Sequence, residues 1–395
     1  MRTAKLKDIT LTITDGKHGD CKNHDGSGYY FISCKDVYDE TIHYENARQI
    51  TEDDFRDADR RTNLAAYDIL ITNSGTIGRM ALVKDIPETR KTTFQKSVAI
   101  VRADTSQVVP NYLYYLLKSK VHDFINSSNG SAQKNLLLST MRDFDISFVD
   151  SFETQHRIAS ILSRYDSLIE NYQKQIKLLE EAAQRLYKEW FVDLHFPGHE
   201  NTVIVDGVPE GWEKKTVSQL GEYLNGFAFK PSDWQESGKP IIKIKEMGNG
   251  VSNDTPRNNG ERVPAKYLVN AGDLLFSWSA TLMVIIWSGE EGWLNQHLFK
   301  VTPAKGIGRE FLLQSISNTI EEFQNLTTGS TMKHIQRNKL DQVFVNVPND
   351  EIMKRYSSIA EKERAEILHL SSQIRLVTEA RDRLLPKLMS GEIAV

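Results

Sequence analysis

The chain has 395 residues, 39% hydrophobic and 26% charged, with a net charge of −4. That length allows two or three domains with real cores, and the slight acidity counts against a simple basic nucleic-acid-binding module, though not against a basic face balanced by acidic helices. No apolar run approaches the ~20 residues needed to span a bilayer, no apolar signal segment follows Met1-Arg-Thr-Ala-Lys, and Cys21 and Cys34 alone make no disulfide framework, so a cytoplasmic location and no membrane contact are expected.

Residues 1–149 read as mixed strands and short helices. Strand-like runs fall at 29–34, 68–72 and 97–102, and 111–117 reads as a helix capped by Asn111 after Pro110. A long amphipathic helix is predicted over 152–192, on the order of 60 Å at 1.5 Å per residue. His195-Phe-Pro-Gly198 ends it, because proline and glycine cannot continue the pattern. A second globular region, with a loop-like stretch at 207–212, runs to about 348, and a last helix covers 350–387.

The two long helices share one register. In the first, Ile158, Tyr165, Tyr172, Leu179 and Leu186 recur every seven residues, interleaved with Leu162, Ile169, Ile176, Ala183 and Trp190. Adding 198 to each number gives Tyr356, Glu363, Leu370, Val377 and Leu384, then Ala360, Ile367, Ile374, Arg381 and Leu388. Interleaved steps of four and three make a coiled-coil seam. Two matching helices tethered in one chain favour an intramolecular pair over homodimerisation. Glu363 opposite Tyr165, and Arg381 in the place of Ala183, interrupt the seam, so part of it is expected to face another protein.

The repeat extends into the globular halves. Phe31-Ile-Ser-Cys-Lys-Asp matches Ile241-Ile-Lys-Ile-Lys-Glu, and Asp68-Ile-Leu-Ile-Thr matches Asp273-Leu-Leu-Phe-Ser. Gln95 pairs with Gln296, and Phe124 with Gly130-Ser131 pairs with Phe323 and Gly329-Ser330. The expected fold is α+β: two similar α/β globular domains, 1–149 and 196–348, joined and separated by helical spacers at 150–195 and 349–395. The spacers would form an antiparallel coiled coil about a pseudo-two-fold internal repeat.

No phosphate-binding glycine loop, dinucleotide fingerprint or nucleophile elbow is present, so no catalytic centre is expected. His18, Cys21, His24 and Cys34 suit zinc chemically, but their spacing fits no familiar finger. Cys34 aligns with Ile244 and reads as a core-facing strand position, so no metal is expected. Asn73, Ser74, Thr76 and Arg79 follow a strand and surround Gly75 and Gly78; such a turn either offers amides to phosphates or is a plain structural hairpin. The second copy keeps Ser277, Ser279 and Thr281 but has Trp278 and Ala280.

Base edges are read by Arg, Lys, Asn and Gln. Loop clusters of these types include Lys17-His18, Arg60-Arg61, Lys91 and Gln95-Lys96 in the first half. Lys230, Lys243, Lys245, Arg257, Gln296-His297, Lys333 and Arg337 are their counterparts in the second. Taken singly, each is most simply a solvated polar residue. Repeated in both halves, the set fits a polyanion.

The helix ends resemble a family. Leu186-Tyr-Lys-Glu-Trp-Phe-Val with Phe196-Pro-Gly198, and Arg381-Asp-Arg-Leu-Leu-Pro-Lys-Leu-Met-Ser-Gly-Glu-Ile393, resemble the repeated helical regions of type I restriction-modification specificity subunits. Pro209-Glu-Gly-Trp212 is similar to that family's entry to the second target-recognition domain, and Ser74-Gly-Thr-Ile-Gly-Arg79 to its first-domain turn. The resemblance implies a non-catalytic host-defence subunit binding double-stranded DNA, each domain reading one half of a split asymmetric target. The helices would set the spacer and dock two methyltransferase subunits that bring S-adenosylmethionine; restriction and translocase subunits would bring ATP and magnesium. The alternative is an adaptor without a DNA role, with two protein-binding lobes on a coiled-coil stalk.

Overall fold

The structure, a computed structural model of the chain, describes residues 1–126, 135–252, 254–326 and 337–395. It divides into two compact units: Met1–Ser167 with Val377–Val395, and Leu168–Leu376. Both boundaries fall inside long helices, so each unit takes a segment of each.

The first unit starts with β1 (Arg2–Lys5), β2 (Thr10–Asp15), β3 (Tyr30–Ile32) and a hairpin of β4 (Val37–Tyr38) and β5 (Thr41–Ile42). After α1 (Glu52–Thr62) come β6 (Ile69–Thr72), β7 (Met80–Leu82), β8 (Thr92–Phe94) and β9 (Val98–Ala103). Then follow α2 (Pro110–Ser119), α3 (Val121–Asn126), α4 (Leu138–Arg142), β10 (Asp145–Phe148) and the long α5 (Phe152–Tyr187).

The rest of the chain repeats this plan. It opens with a small hairpin, β11 (Ile204–Val205) and β12 (Val208–Pro209), then β13 (Glu213–Thr216), β14 (Gly221–Asn225), β15 (Lys239–Ile242), α6 (Ile244–Asn249), β16 (Arg257–Asn258) and β17 (Leu268–Val269). Next come β18 (Leu274–Ser277), β19 (Met283–Ile286), β20 (Gly292–Leu294) and β21 (Leu298–Pro303), followed by α7 (Arg309–Asn318), α8 (Ile320–Asn325), β22 (Phe344–Val347) and the long α9 (Asp350–Ser390).

The repeat is topological as well as sequential. One unit has an antiparallel four-stranded sheet in the order β2-β9-β6-β7, the other in the order β14-β21-β18-β19. The parallel pair β3-β8 recurs as β15-β20, and the antiparallel pair β1-β10 recurs as β13-β22. The strands β6 and β18 are continuous apolar runs because both of their faces are covered. Ile69 and Ile71 enter one core and Leu70 another. Leu274 and Phe276 enter one core and Leu275 another. A half-exposed strand would alternate apolar with polar residues instead.

Helix segments complete each core. In the first unit Ile158, Ala159 and Leu162 of α5 join Leu385, Leu388 and Met389 of α9. In the second, Tyr187 of α5 joins Met353, Tyr356 and Ala360 of α9. The start of α5 shares a core with the end of α9 in the first unit, and the end of α5 with the start of α9 in the second, the pairing of antiparallel helices. The expected seam residues line the sheltered stripe. Trp190, Ile367, Leu370 and Leu388 are buried, while Tyr165, Ile169, Tyr172, Ile176, Leu179, Leu186, Ile374, Val377 and Leu384 are half-buried.

The motifs at the end of α5 are core-makers. A π-turn, Lys188–Val192, follows Tyr187. It turns Phe191 to within 4.9 Å of Phe311 and 4.8 Å of Tyr356, ring to ring. Trp212 stands 4.6 Å from Phe196 and 5.8 Å from Phe191. Edge-on and tilted pairs of this kind add to plain burial.

Several local expectations are corrected. Asn111 is not the cap of α2: Val109 is, with Pro110 in the first turn, where a missing N–H costs nothing. Cys34 is not a core strand residue; it lies past the end of β3 and is partly exposed. Arg60 and Arg61 are not in a loop but in the last turn of α1, where cations complement exposed carbonyls, with left-handed Asn63 (φ 43°) ending the helix. The stretch around Gly207 is the tip of the β11-β12 hairpin. Arg381 does not leave the seam for another protein: its guanidinium is buried and ion-paired to Glu40 and Asp166.

Candidate nucleic-acid interface

The same backbone device closes one end of the main sheet in both units. Where β2 leaves the sheet, the Gly16 N–H donates to Val98 O at 3.2 Å and the Lys17 N–H to Phe94 O at 2.8 Å. A Cβ on Gly16 would lie 1.9 Å from Phe94 O, so only glycine passes. Gly226 repeats this: its N–H donates to Leu298 O at 3.1 Å, the next N–H, of Phe227, to Leu294 O at 2.8 Å, and a Cβ would lie 2.2 Å from Asn295 O. Lys17 and Phe227 are therefore equivalent.

These bonds also correct the repeat register. The Gln95 N–H donates to Ile32 O at 2.9 Å, and the Asn295 N–H to Ile242 O at 3.1 Å. The Asn73 N–H donates to Ser97 O at 3.0 Å, and the Trp278 N–H to His297 O at 3.4 Å. So Gln95 corresponds to Asn295, not Gln296, and Lys96 and Ser97 correspond to Gln296 and His297.

The turn after β6 is a hairpin held by a hydroxyl. Thr72 Oγ1 accepts from the Arg79 N–H at 2.9 Å and donates to Thr76 O. The amides of Asn73, Gly78 and Arg79 are all committed within the protein, which favours the structural reading over an amide cradle. Ser277 does the same in the second copy, accepting from the Met283 N–H at 2.9 Å and donating to Thr281 O. Gly75 is left-handed (φ 76°), and Ala280 keeps that conformation (φ 57°) without glycine. Thr72→Val and Ser277→Ala should each leave a buried amide unpaired. Each is expected to cost about 1–3 kcal/mol in urea unfolding; a loss under about 0.5 kcal/mol would mean that the hydroxyl does not hold the turn.

The candidate side chains divide by surroundings. Lys17, Asn73, Ser74, Gln95 and Lys96 are brought to one end of the first sheet by these bonds and by the Lys17–Gln95 bridge. Lys96 is exposed. Asn73 is buried, and its Oδ1 has no hydrogen-bond partner among the described residues. Thr76 and Arg79 lie on the adjoining turn, the first exposed and the second half-buried. Ser279 (buried), Gln296 and His297 occupy the matching end of the second sheet, with Gln296 Nε2 3.3 Å from His297 Nε2.

Other candidates are held by carboxylates. Lys17 Nζ lies 3.1 Å from Asp57, and that hydrogen bond holds its ammonium above the ordinary lysine pKa. Asp15 takes His18 at 3.0 Å and Arg61 at 2.8 Å. Arg60 is exposed, 4.0 Å from Asp57, and Lys91 stands 5.6 Å over the Tyr29 ring, whose other neighbour is Phe55 of α1. Arg60, Arg61 and Lys91 thus gather around α1, which also holds Lys17 through Asp57. Lys245 pairs with Asp254 at 2.5 Å, and hydrogen bonds from Lys245 and Ser252 pull that carboxyl down to about 2. Arg257 pairs with Glu290 at 3.1 Å. Lys243 Nζ sits 4.5 Å over the Trp234 ring, next in sequence to the Ile242 carbonyl that Asn295 bonds. Lys230 and Arg337 are exposed, and Lys333 lies outside the described residues.

A search for basic and amide side chains passes over Phe227 and Trp278, which the structure places at the second sheet end. The aligned Gly16-Lys17 and Gly226-Phe227, and Thr72-Asn73 and Ser277-Trp278, are the signal that finds them. Among the described residues, no group of His, Cys, Asp and Glu is arranged to hold a metal, and no helix is long and apolar enough to cross a membrane.

Comparison with known proteins gives the frame. The type I restriction modification DNA specificity domain matches twice, over residues 3–181 and 209–382. The chain is similar to the type I restriction enzyme MjaIX specificity subunit of Methanocaldococcus jannaschii, 27% identical with 95% of this chain and 89% of that one covered. It is also similar to the HindI specificity subunit of Haemophilus influenzae, 24% identical with 74% and 80% covered. Among solved structures, the type I restriction-modification S subunit from M. genitalium shares the fold, with a TM-score of 0.53 and 16% identity over 98% of this chain and 96% of that one. The chain belongs to the type I restriction-modification DNA specificity family and carries that family's domain in two copies.

Proposed function

We propose that this chain is the targeting subunit of a type I restriction-modification complex. Each unit reads one half of a split, asymmetric DNA sequence. The long helices set the unread spacer and dock two methyltransferase subunits, which bring S-adenosylmethionine. Restriction and translocase subunits bring ATP and magnesium. The chain itself performs no chemistry, and the complex works in the cytoplasm.

One observation carries this reading. Two tandem copies of a DNA specificity domain present the same backbone at the sheet end but different side chains on it. A duplicated scaffold with exchanged side chains is what two different half-sites require. Phosphate contacts would position the duplex, and base-edge contacts would specify it. Because Lys17, Arg61, Lys245 and Arg257 are already paired with carboxylates, the chain alone should bind DNA weakly, with the methyltransferase subunits completing the clamp.

The test is single-molecule methylation sequencing of cells expressing the chain with its modification subunit. A split motif of modified adenines is expected, absent without the chain. Exchanging residues 1–149 for another recognition domain should change one half-site only. A stable complex that adds no methylation would favour the adaptor reading, and a change in both half-sites would end the assignment of one domain to one half.

A further inference from the structure

We propose that the second unit recognises A·T pairs in its half-site through aromatic contact with the thymine 5-methyl group, a contact that the first unit, with polar residues at the matching positions, does not make. This rests on the targeting function proposed above and adds the chemistry by which one half-site is chosen.

Equivalent positions in the two units are fixed by the backbone. The shared hydrogen bonds at the sheet end align Lys17 with Phe227, Asn73 with Trp278, Lys96 with Gln296 and Ser97 with His297. The backbone is unchanged and the chemistry is exchanged. Where one copy has a carboxylate-held lysine and a buried asparagine, the other has two large rings.

Those rings are not simply core. Phe227 and Trp278 are only half-buried, as are Phe229 and Tyr267. Phe227 lies 4.9 Å from Phe229 and 5.6 Å from Tyr267, and Trp278 lies 5.6 Å from His297 and 6.1 Å from the buried Phe299 that backs it. Rings gathered in one place and held partly open to solvent offer an apolar surface that a ligand can cover. The Lys243 ammonium, over the half-exposed Trp234, and exposed Lys230 supply the positive charge that a polyanion needs beside it.

In the major groove, thymine alone among the four bases presents a methyl group, and an amide side chain pairs with the N6 and N7 of the adenine opposite. A rim that joins half-buried rings to the Gln296 amide matches both partners of one A·T pair. Burying the methyl against a preformed ring gains apolar contact without ordering a flexible side chain.

Removing only the methyl isolates the effect. The full chain with its modification subunit would be bound to duplexes of its target in which each thymine in turn is replaced by uracil. At least one replacement in the half-site read by the second unit should weaken binding about fivefold or more, and replacements in the other half-site should not. Phe227→Ala and Trp278→Ala should relax the motif selected from randomised DNA in that half-site alone. The uracil series uses the unaltered protein, so a folding defect in a variant cannot obscure it. Specific binding with every uracil tolerated overturns the inference and leaves the targeting function standing. Absence of sequence-specific binding to any duplex would overturn the targeting function itself.

Discussion

Removing one heptad from each long helix, residues 168–174 from α5 and 371–377 from α9, is expected to bring the two recognised half-sites about three base pairs closer and leave both half-site sequences unchanged. Seven helical residues are worth ~10 Å at 1.5 Å per residue, and B-DNA rises 3.4 Å per base pair. Seven is also the seam repeat, so the sheltered stripe stays in phase. The excised segments lie where the two compact units change over. Each core therefore keeps its own helix residues: Ile158, Ala159, Leu162, Leu385 and Leu388 in the first unit, Tyr187, Tyr356 and Ala360 in the second. A five-residue deletion at the same places is the control. It rotates everything beyond it by about 140° and should abolish methylation rather than shift its spacing. The readout is the methylated motif. An unchanged spacer would mean that the helices do not set it, and altered half-site letters would mean that recognition is not confined to the globular parts.

The seam was legible in the sequence because burial along a helix follows its period, and Tyr165 to Trp190 keep that period without a break. The place of Arg381 was not legible. A charged residue at a seam position looks like a fault until its partner is known, and Glu40 lies 341 residues away in sequence. The register of the repeat failed by one residue for a similar reason. Matching Gln95 to Gln296 follows letters, whereas the alignment is fixed by N–H groups donating to Ile32 and Ile242, which any side chain permits. The turn after β6 shows the reverse. The loss of Gly75 in the second copy suggests a lost structure, yet Ser277 supplies the hydroxyl of Thr72 and Ala280 accepts the left-handed backbone. At the sheet end, composition points to lysine and arginine, but helix α1 carries Asp54 and Asp57 against Lys17, and carboxylates likewise hold Arg61, Lys245 and Arg257. Charge in a sequence is visible, but its neutralisation across a fold is not.

Arg381→Met should destabilise the first unit by about 3 kcal/mol, the order expected when one partner of a buried ionic cluster is removed. The Arg381 side chain is 6% exposed, with Nη1 2.8 Å from Glu40 and 2.6 Å from Asp166. Lys118 holds Glu40 from the other side at 2.5 Å, and the Tyr115 hydroxyl donates to Asp166. The hairpin that delivers Glu40 is itself unusual: Asp39 (φ 47°) and Glu40 (φ 61°) are both left-handed without glycine, in a two-residue turn where Asn-Gly is the ordinary choice. The cluster offsets that strain while the cation is present. Without it, two carboxylates share one ammonium in a half-buried site, and the hairpin loses its reason to stay. Burial works against the Glu40 carboxylate, but Lys118 and Arg381 outweigh it and hold its pKa below the usual glutamate value. A carboxyl lowered in the folded state adds stability above its unfolded pKa and loses it as pH falls through the folded one. The parent chain should therefore lose this contribution as pH falls below the ordinary glutamate range, whereas the variant, whose Glu40 has lost one of its two cations, should lose less, so the gap between the two narrows towards low pH. Thermal unfolding at pH 7 and across pH 3–6 measures both effects. Adding Asp166→Asn to Arg381→Met should recover part of the loss, because Glu40 then keeps Lys118 as its partner and the second carboxylate is gone. A single variant that unfolds at the parent's midpoint would mean that water, not Arg381, balances the two carboxylates.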